Sequence, residues 1–475
     1  MYIEKQKFFV LGLSKSGVSA ARFLLSKRAV VYVYDDHSSE KIARSIHELT
    51  GLGAKTLTKE EVSSMPDVCD ALVLSPGIPI DYPLAVAFKR KGKAVVGETE
   101  LAARFMRCVS VAVTGTNGKT TTVSMLEKIL QQGGVSAHAC GNIGAPMIDY
   151  CGLSETEVAV AEISSFQLET LQSFCPHVAV VLNITEDHLN RHYNMDNYVY
   201  LKSKLLRNST GTEYAVLNYD DPIVRAFAEK TKARVLYFSM HERVVGAFYE
   251  NDALWFGKER IMPVDDLPLA GVHNVQNALA SIAVAKIMGV KTADIVKALT
   301  EFKGVKHRID QVGTFGGITF IDDSKATNVD ATLKAVSAMN ADTVLLLGGK
   351  NKGYDYDDLF SALRKTRVVH AVLYGENRYS LLKSAQENGF SSVSVCDGFD
   401  FAVHVAILRA EQGQTVLLSP ASASFDEFSN YEERGDRFVE IVGALAENAD
   451  ESKANYVDDG KDGSAQFNGR MEETE

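Results

Sequence analysis

Short apolar runs recur along this chain, each closed by glycine or small polar residues and followed by apolar positions spaced three and four apart. That is the signature of a strand, a turn and an amphipathic helix in repeated succession. Residues 8–13 form the first run. They pass through Gly12-Leu-Ser-Lys-Ser-Gly17 into a stretch with Val18, Ala21 and Leu25 on one helical face, and residues 29–34 follow as a second strand ending in Asp35-Asp36. Runs at 71–74 and 94–96, trailed by Ser75-Pro76-Gly77 and Gly97-Glu98, continue the rhythm and close a first domain near residue 97. A second series holds strands at 109–113, 158–163, 178–184, 214–217 and 234–238, a hairpin-like stretch at 248–256, and helices at 273–286 and 293–302. Residues 304–308 read as a linker, after which strands are expected at 317–321, 343–347, 368–374, 392–395 and 415–418. Regular alternation of this kind gives mainly parallel sheets covered by helices. The fold class is therefore α/β with three domains, 1–97, 98–304 and 305–448, each with a mainly parallel sheet and the outer two Rossmann-like. Residues 449–475 are expected to be an acidic, disordered tail, since Glu451 to Glu475 hold seven acids against three bases and few large apolar groups.

The sharpest local signal is VSVAVTGTNGKTTT, beginning at Val109. An apolar strand opens there into Gly115, Thr116, Asn117 and Gly118 and closes on Lys119, Thr120 and Thr121, with Val123, Leu126 and Leu130 at helical spacing. The first N–H groups of a helix lack intrahelical partners and favour an anion. A triphosphate fits, with Lys119 reaching the outer phosphates and the Thr120 hydroxyl serving Mg²⁺. The first glycine of the general P-loop pattern falls on Val113, so this loop is shorter.

The Gly12–Gly17 turn with acids about 20 residues on outlines a dinucleotide-binding unit. A dehydrogenase is thus one rival. Ser14 stands where the second glycine of that fingerprint lets a backbone approach pyrophosphate, which favours some other nucleotide. Composition excludes more than it selects. Hydrophobic content of 46% and charged content of 23% are those of a globular protein, and the net charge of −11 disfavours a nucleic-acid or anionic-membrane binder. Six cysteines lie scattered without a C-x-x-C pair, and no apolar run approaches a membrane span. A soluble, cytoplasmic protein with reduced thiols is expected.

Ligands of parallel sheets gather beyond the carboxyl ends of strands. Polar clusters follow the apolar runs at EISSFQLE from Glu162, NITEDHLNRH from Asn183, DDSKATN from Asp322, GGKNK from Gly348 and SPASAS from Ser419. Each has an ordinary reading: Glu162 as a helix-capping acid, His188 as a hydrogen-bonded loop histidine, Asp323 and Ser324 as caps, Lys350 and Lys352 as solvated charges. Together, Glu162 and His188 on strand ends beside Thr120 make a site for a divalent cation next to phosphates.

These stretches, with Gly141-Asn142-Ile143-Gly144, HNVQNALA, Lys306-His307-Arg308 and LSPASASFDEFSNYEERG, occur in the order found in the Mur ligases of peptidoglycan synthesis, which the chain resembles over residues 1–448. EISSFQLE and SPASASFDEF resemble the members that add D-glutamate to UDP-N-acetylmuramoyl-L-alanine. The resemblance implies an N-terminal domain for the UDP moiety, a central ATPase, and a C-terminal domain that closes and excludes water. It implies ATP and Mg²⁺ as cofactors, with phosphate and metal held by Lys119, Thr120 and Thr121. Glu162 and His188 would serve magnesium, and Lys204 would be the family's carbamylated lysine. Asn142 would face the substrate's diphosphate, Asn277 adenine, Arg308 and Asp323 the ribose and phosphate side of ATP, and Lys325 the transferring phosphoryl group. Thr327, Lys352, Ser424, Phe425 and Tyr431 match the D-glutamate pocket. The UDP moiety falls to Ser14, Lys15, Ser16, Asp35, Ser75 and Gly77, although His37 and Leu13-Ser14-Lys15-Ser16 depart from the usual uridine loop, and Tyr431 stands where Phe is expected.

The implied chemistry is transfer of a phosphoryl group from ATP to a carboxylate, then attack of the D-glutamate amine on the acyl phosphate. The partners are UDP-N-acetylmuramoyl-L-alanine and D-glutamate, with no nucleic acid and no membrane, and the chain is expected to act as a monomer. A sister ligase adding another amino acid, a folylpolyglutamate synthase and a P-loop switch or motor ATPase remain as rivals.

Overall fold

The computed structural model describes residues 3–269, 271–350 and 355–458. The chain divides into two compact units, Met1–Val305 and Lys306–Glu475. Three sheets form, two of them in the first unit.

In the first sheet β1 (Lys7–Leu11), β2 (Val30–Tyr34), β3 (Lys55–Thr56), β4 (Ala71–Leu74) and β5 (Ala94–Gly97) are all parallel, in the order β3-β2-β1-β4-β5. The order reverses between β1 and β4, which opens a crevice beyond their carboxyl ends. The turns at 12–17 and 75–78 meet there. Gly12 needs its left-handed φ of 89°, and a Cβ on Gly17 would stand 1.9 Å from the Gly12 carbonyl oxygen.

The second sheet has nine strands: β6 (Val109–Thr114), β7 (Ala137–Gly141), β8 (Val158–Glu162), β9 (Val178–Val181), β10 (Tyr214–Asn218), β11 (Arg234–Ser239), β12 (Gly246–Glu250), β13 (Ala253–Phe256) and β14 (Glu259–Pro263). Their order is β14-β13-β12-β11-β10-β9-β6-β8-β7, parallel from β7 to β12 and antiparallel beyond. Helices Lys119–Gln132 and Val272–Ile287 cover one face with a core that includes Val113, Leu126, Val160, Val180 and Leu279, all with 0% exposure. Strands buried on both faces read as continuous apolar runs, which is why β6, β8 and β10 are plain in the sequence. The expected hairpin at 248–256 is a three-strand antiparallel meander, β12 to β14. Strand β9 stops at Val181 and not at 184 because side chains take over its backbone: Asn218 Nδ2 donates to Leu182 O at 2.8 Å, and Ile184 N to Asp221 Oδ2 at 2.8 Å.

The third sheet contains β15 (Asp310–Phe315), β16 (Ile318–Asp322), β17 (Thr343–Gly348), β18 (Val368–Tyr374), β19 (Val393–Val395) and β20 (Thr415–Leu418). Their order is β15-β16-β20-β17-β18-β19, parallel except for the β15–β16 hairpin. Strand β20 sits between β16 and β17, so the loops after all three strands converge. The expected linker at 304–308 is not loose at its end, where His307 is buried and its Nδ1 lies 2.6 Å from Asp322 Oδ2. The last helix runs Tyr431–Asp458, into the stretch expected to be disordered. Ala444 through Ala454 is rich in good helix formers, which carry the helix onward. The rest of the expected tail, 459–475, lies outside the described residues, as does Lys352. Among the described residues no helix is long and apolar enough to cross a membrane.

Candidate nucleotide and metal site

Strand β6 delivers its loop to the middle of the second sheet, flanked by β9 and β8. Gly115 and Gly118 adopt φ of 150° and 88°, which turn the chain sharply before the helix begins at Lys119. The loop is braced from the next strand end. Asn117 N donates to Asn183 Oδ1 at 2.8 Å, Asn183 Nδ2 returns a bond to Asn117 O at 3.1 Å, and Thr116 N donates to Asn183 O at 2.9 Å. Lys119 Nζ lies over the loop, donating to Gly115 O at 2.9 Å and Thr116 O at 2.8 Å.

The Thr120 hydroxyl donates to Glu162 Oε2 at 2.7 Å, while Asn142 Nδ2 donates to Glu162 Oε1 at 2.8 Å. Glu162 is 1% exposed. Asn142, expected at the substrate's diphosphate, thus orients this carboxylate from the loop after β7. His188 is the left-handed residue (φ 56°) that opens the short helix Leu189–His192. Its ring packs 4.7 Å from Phe166 and its Nε2 stands 3.6 Å from Asp187 Oδ2. The Thr120 hydroxyl and the Glu162 carboxylate are a pair that suits magnesium, which takes few protein ligands and leaves the remainder to phosphate and water. The buried Thr121 hydroxyl, without a hydrogen-bond partner, marks a site completed by a polar ligand.

The lysines at 202 and 204 lie in different surroundings. Lys204 Nζ is turned to the carbonyls of Leu168 and, at 3.0 Å, Glu169, away from the loop. Lys202 is the residue brought to the site: its Nζ donates to Gly115 O at 2.8 Å and lies 4.6 Å from the Tyr198 ring centre. Positions two apart on a helix face nearly opposite ways, so the Tyr-Leu-Lys-Ser-Lys stretch cannot present both. Burial pushes the Lys202 ammonium well below its ordinary range, and Lys119 adds to this while Asp187 and Glu162 oppose it.

Asn277, expected at adenine, lies buried beneath the loop. A Cβ on Gly118 would come within 2.4 Å of its Oδ1, which also accepts from Thr122 Oγ1 at 3.3 Å. In the first sheet Asp35 Oδ2 accepts Leu13 N at 2.6 Å, Ser75 Oγ donates to Gly12 O at 2.8 Å, and Lys15 Nζ reaches Gly144 O. Ser14 and Gly77 are exposed and Ser16 half-buried at the same crevice.

The second unit has its own polar cluster where β16, β17 and β20 end. Asp323, buried, accepts Ser419 Oγ at 2.8 Å and Ile309 N at 3.3 Å. Burial pushes its carboxyl up to about 7 against the opposing pull of Arg308, whose Nε is buried without a partner. Lys325 Nζ donates to the Tyr431 hydroxyl at 2.9 Å, so the hydroxyl in place of the expected Phe has a partner. Ser424 is 2% exposed and Phe425 66%, with Thr327 half-buried. Arg434, not singled out in the sequence, is fully buried and ties the loops together through Ser324 O at 2.8 Å and Ser422 O at 3.2 Å.

Family models match three consecutive stretches: Mur ligase MurD-like, N-terminal domain at 6–97; Mur ligase middle domain at 113–285; and Mur ligase, glutamate ligase domain at 307–422. The UDP-N-acetylmuramoylalanine--D-glutamate ligase of Alkaliphilus metalliredigens is 38% identical over 454 residues, 94% of this chain and 99% of that one. The chain belongs to the Mur ligase family. Equally named relatives from Koribacter versatilis and Clostridioides difficile are 39% and 36% identical, covering 94% of this chain and 99% and 100% of their own. Among solved Mur ligases, UDP-N-acetylmuramate-alanine ligase MurC from Thermotoga maritima aligns with a TM-score of 0.60 at 20% identity, over 92% of this chain and 99% of that one. MurF ligase from the same organism, in complex with ADP, aligns at 0.56 with 15% identity, over 94% and 96%. These two share the three-domain α/β architecture with this Mur ligase.

Proposed function

We propose that the protein joins D-glutamate to UDP-N-acetylmuramoyl-L-alanine with conversion of ATP to ADP and phosphate, an amide-forming step of peptidoglycan precursor synthesis. The observation that carries this reading is the 115–120 loop, where helix N–H groups, Lys119 and the Thr120–Glu162 pair converge at one strand end. Relatives of 36–39% identity over nearly the whole chain support the choice of substrates.

A carboxylate is a poor acyl electrophile. The alanyl carboxylate oxygen takes the γ-phosphoryl group, with Lys119 and the loop N–H groups facing the charge that spreads over the phosphoryl oxygens. The D-glutamate amine then attacks the acyl carbon, loses a proton, and phosphate departs. Thr120, Glu162, His188 and Lys202 would hold Mg²⁺, which when bound supplies countercharge to the phosphates. Lys202 takes the place first assigned to Lys204 as the carbamylated lysine. A neutral amine is the form that adds carbon dioxide, and the resulting carbamate presents oxygen where an ammonium would repel a cation. In the second unit Arg308, Asp323 and Lys325 are assigned to ATP, and Thr327, Lys352, Ser424, Phe425 and Tyr431 to D-glutamate. Domain boundaries follow at 97/98 and 304/305. The chain is assigned to the cytoplasm, as a monomer without a nucleic-acid or membrane partner.

Phosphate release from ATP should require both UDP-N-acetylmuramoyl-L-alanine and D-glutamate. Release independent of either substrate overturns the ligase reading. Preference for L-lysine, meso-diaminopimelate or L-alanine overturns the choice of amino acid alone.

A further inference from the structure

The EISSFQLE stretch contributes Glu162 to the metal site, but two more of its residues are engaged elsewhere. Glu169 and Phe166 grip Arg191, which is three residues beyond His188. Arg191 Nε and Nη2 meet Glu169 Oε1 and Oε2 at 2.9 and 2.7 Å, a forked pair, and the guanidinium lies 5.0 Å from the Phe166 ring centre. The same guanidinium reaches the first sheet. It donates to Pro76 O at 3.3 Å, Gly77 O at 3.0 Å and Ile78 O at 2.8 Å. Both charged side chains are largely shielded, at 14% and 6% exposure. An exposed pair of this kind would contribute little, whereas this one spans two sheets and satisfies three consecutive carbonyls.

The geometry points to Arg191 as a positioning residue for the UDP-linked substrate, acting through the turn at residues 75–78. This rests on the ligase reading above. A trans peptide holds its C=O and N–H antiparallel. Pinning the Pro76 carbonyl against Arg191 therefore turns the Gly77 N–H to the opposite side, and Gly77 is exposed there. The turn is set from its other end by Ser75 Oγ on Gly12 O and by Ile78 N on Ser75 O at 2.9 Å. A donor aimed outward from a fixed turn, beside the 12–17 loop, suits the oxygens of a diphosphate or its attached sugar. The clamp also reaches the metal site. Phe166 lies between Arg191 and His188, and the helix Leu189–His192 is bounded by two left-handed residues, His188 and Tyr193 at φ of 56° and 71°. The Tyr193 hydroxyl donates to Asp81, so the short helix and the residue that follows it hold residues 76–81 at two points.

The test uses the full chain and UDP-N-acetylmuramoyl-L-alanine as probe, with binding measured by calorimetry alongside steady-state phosphate release. Arg191→Ala is expected to weaken binding and raise the KM for this substrate roughly ten- to hundredfold, with the KM values for ATP and D-glutamate moving by about threefold or less. Arg191→Lys should restore little, because an ammonium cannot span a carboxylate and three carbonyls in one plane. Glu169→Gln should shift the same KM in the same direction by a smaller factor. The Arg191→Ala, Glu169→Ala double variant should be no worse than the poorer single one, since both break one clamp. Folded Arg191→Lys and Glu169→Gln variants with unchanged binding would overturn the proposal even where Arg191→Ala fails to fold. Parent enzyme that releases no phosphate with both substrates would instead remove the ligase reading.

Discussion

A buried ammonium is costly to keep charged, and Lys202 and Lys204 meet that cost in different surroundings. Burial brings Lys204 down to about 8, with two carbonyls as acceptors, whereas Lys202 lies deeper and beside Lys119. Lys202→Ala should lower turnover by about two to three decades, the scale of losing one group aimed at developing charge, and Lys204→Ala by about threefold or less. Mass spectrometry under bicarbonate should find the added carbon dioxide on Lys202; an unmodified Lys202 with full activity of Lys202→Ala would reject the assignment. Asp323 gives a pH prediction of definite sign. Its folded-state value near 7 exceeds the ordinary 3.8, so its contribution to stability is complete below about pH 4 and is lost as pH rises through about 7. Urea denaturation of Asp323→Asn should therefore show a shallower loss of stability across that window than the parent. Equal slopes would mean that the carboxyl is not held protonated.

At the scale of elements, the β6 loop depends on backbone that only glycine supplies easily. Gly118 pairs a φ of 88° with a Cβ position 2.4 Å from Asn277 Oδ1. Gly118→Ala must strain the turn, at about 1–2 kcal/mol for the left-handed conformation alone, and displace Asn277. We expect the KM for ATP to rise by about tenfold or more, with smaller changes for D-glutamate; an unchanged KM would show that the loop has another route into its helix. The sequence displayed this loop because its glycines, lysine and threonines are consecutive. It did not display the brace from Asn183, 66 positions away, or the hold of Arg434 on Ser324, 110 positions away. Those contacts exist only once strand order has set β9 beside β6 and the last helix beneath the loop after β16.

At the scale of the molecule, the first unit contains two sheets without being two independent bodies. Ser19, buried on the helix Lys15–Ser26, donates its hydroxyl to Asp149 Oδ2 at 3.0 Å, and the Arg191 clamp adds a second tie. Residues 1–305 expressed alone should melt in one cooperative transition that includes both sheets, read by hydrogen exchange across 7–97 and 109–305. Loss of protection in 7–97 well before the rest would show that these ties do not couple the sheets.

Local chemistry in the sequence determined the alternation of strand and helix, the three sheets and the phosphate loop, because hydrophobic period and consecutive turn residues act within a few positions. A stretch such as Tyr-Leu-Lys-Ser-Lys offers two lysines of equal local merit, and only packing decided between them: the helix Met195–Ser203 turns Lys202 toward Gly115 and leaves Lys204 on Leu168 and Glu169. For Asn142 and Asn277 likewise, the sequence shows nothing of the contacts they make, with Glu162 in one case and against Gly118 in the other. A side chain's direction depends on its phase on an element, and its partner on sheet order. Both are properties of the folded chain, and for that reason only the tertiary structure decided them.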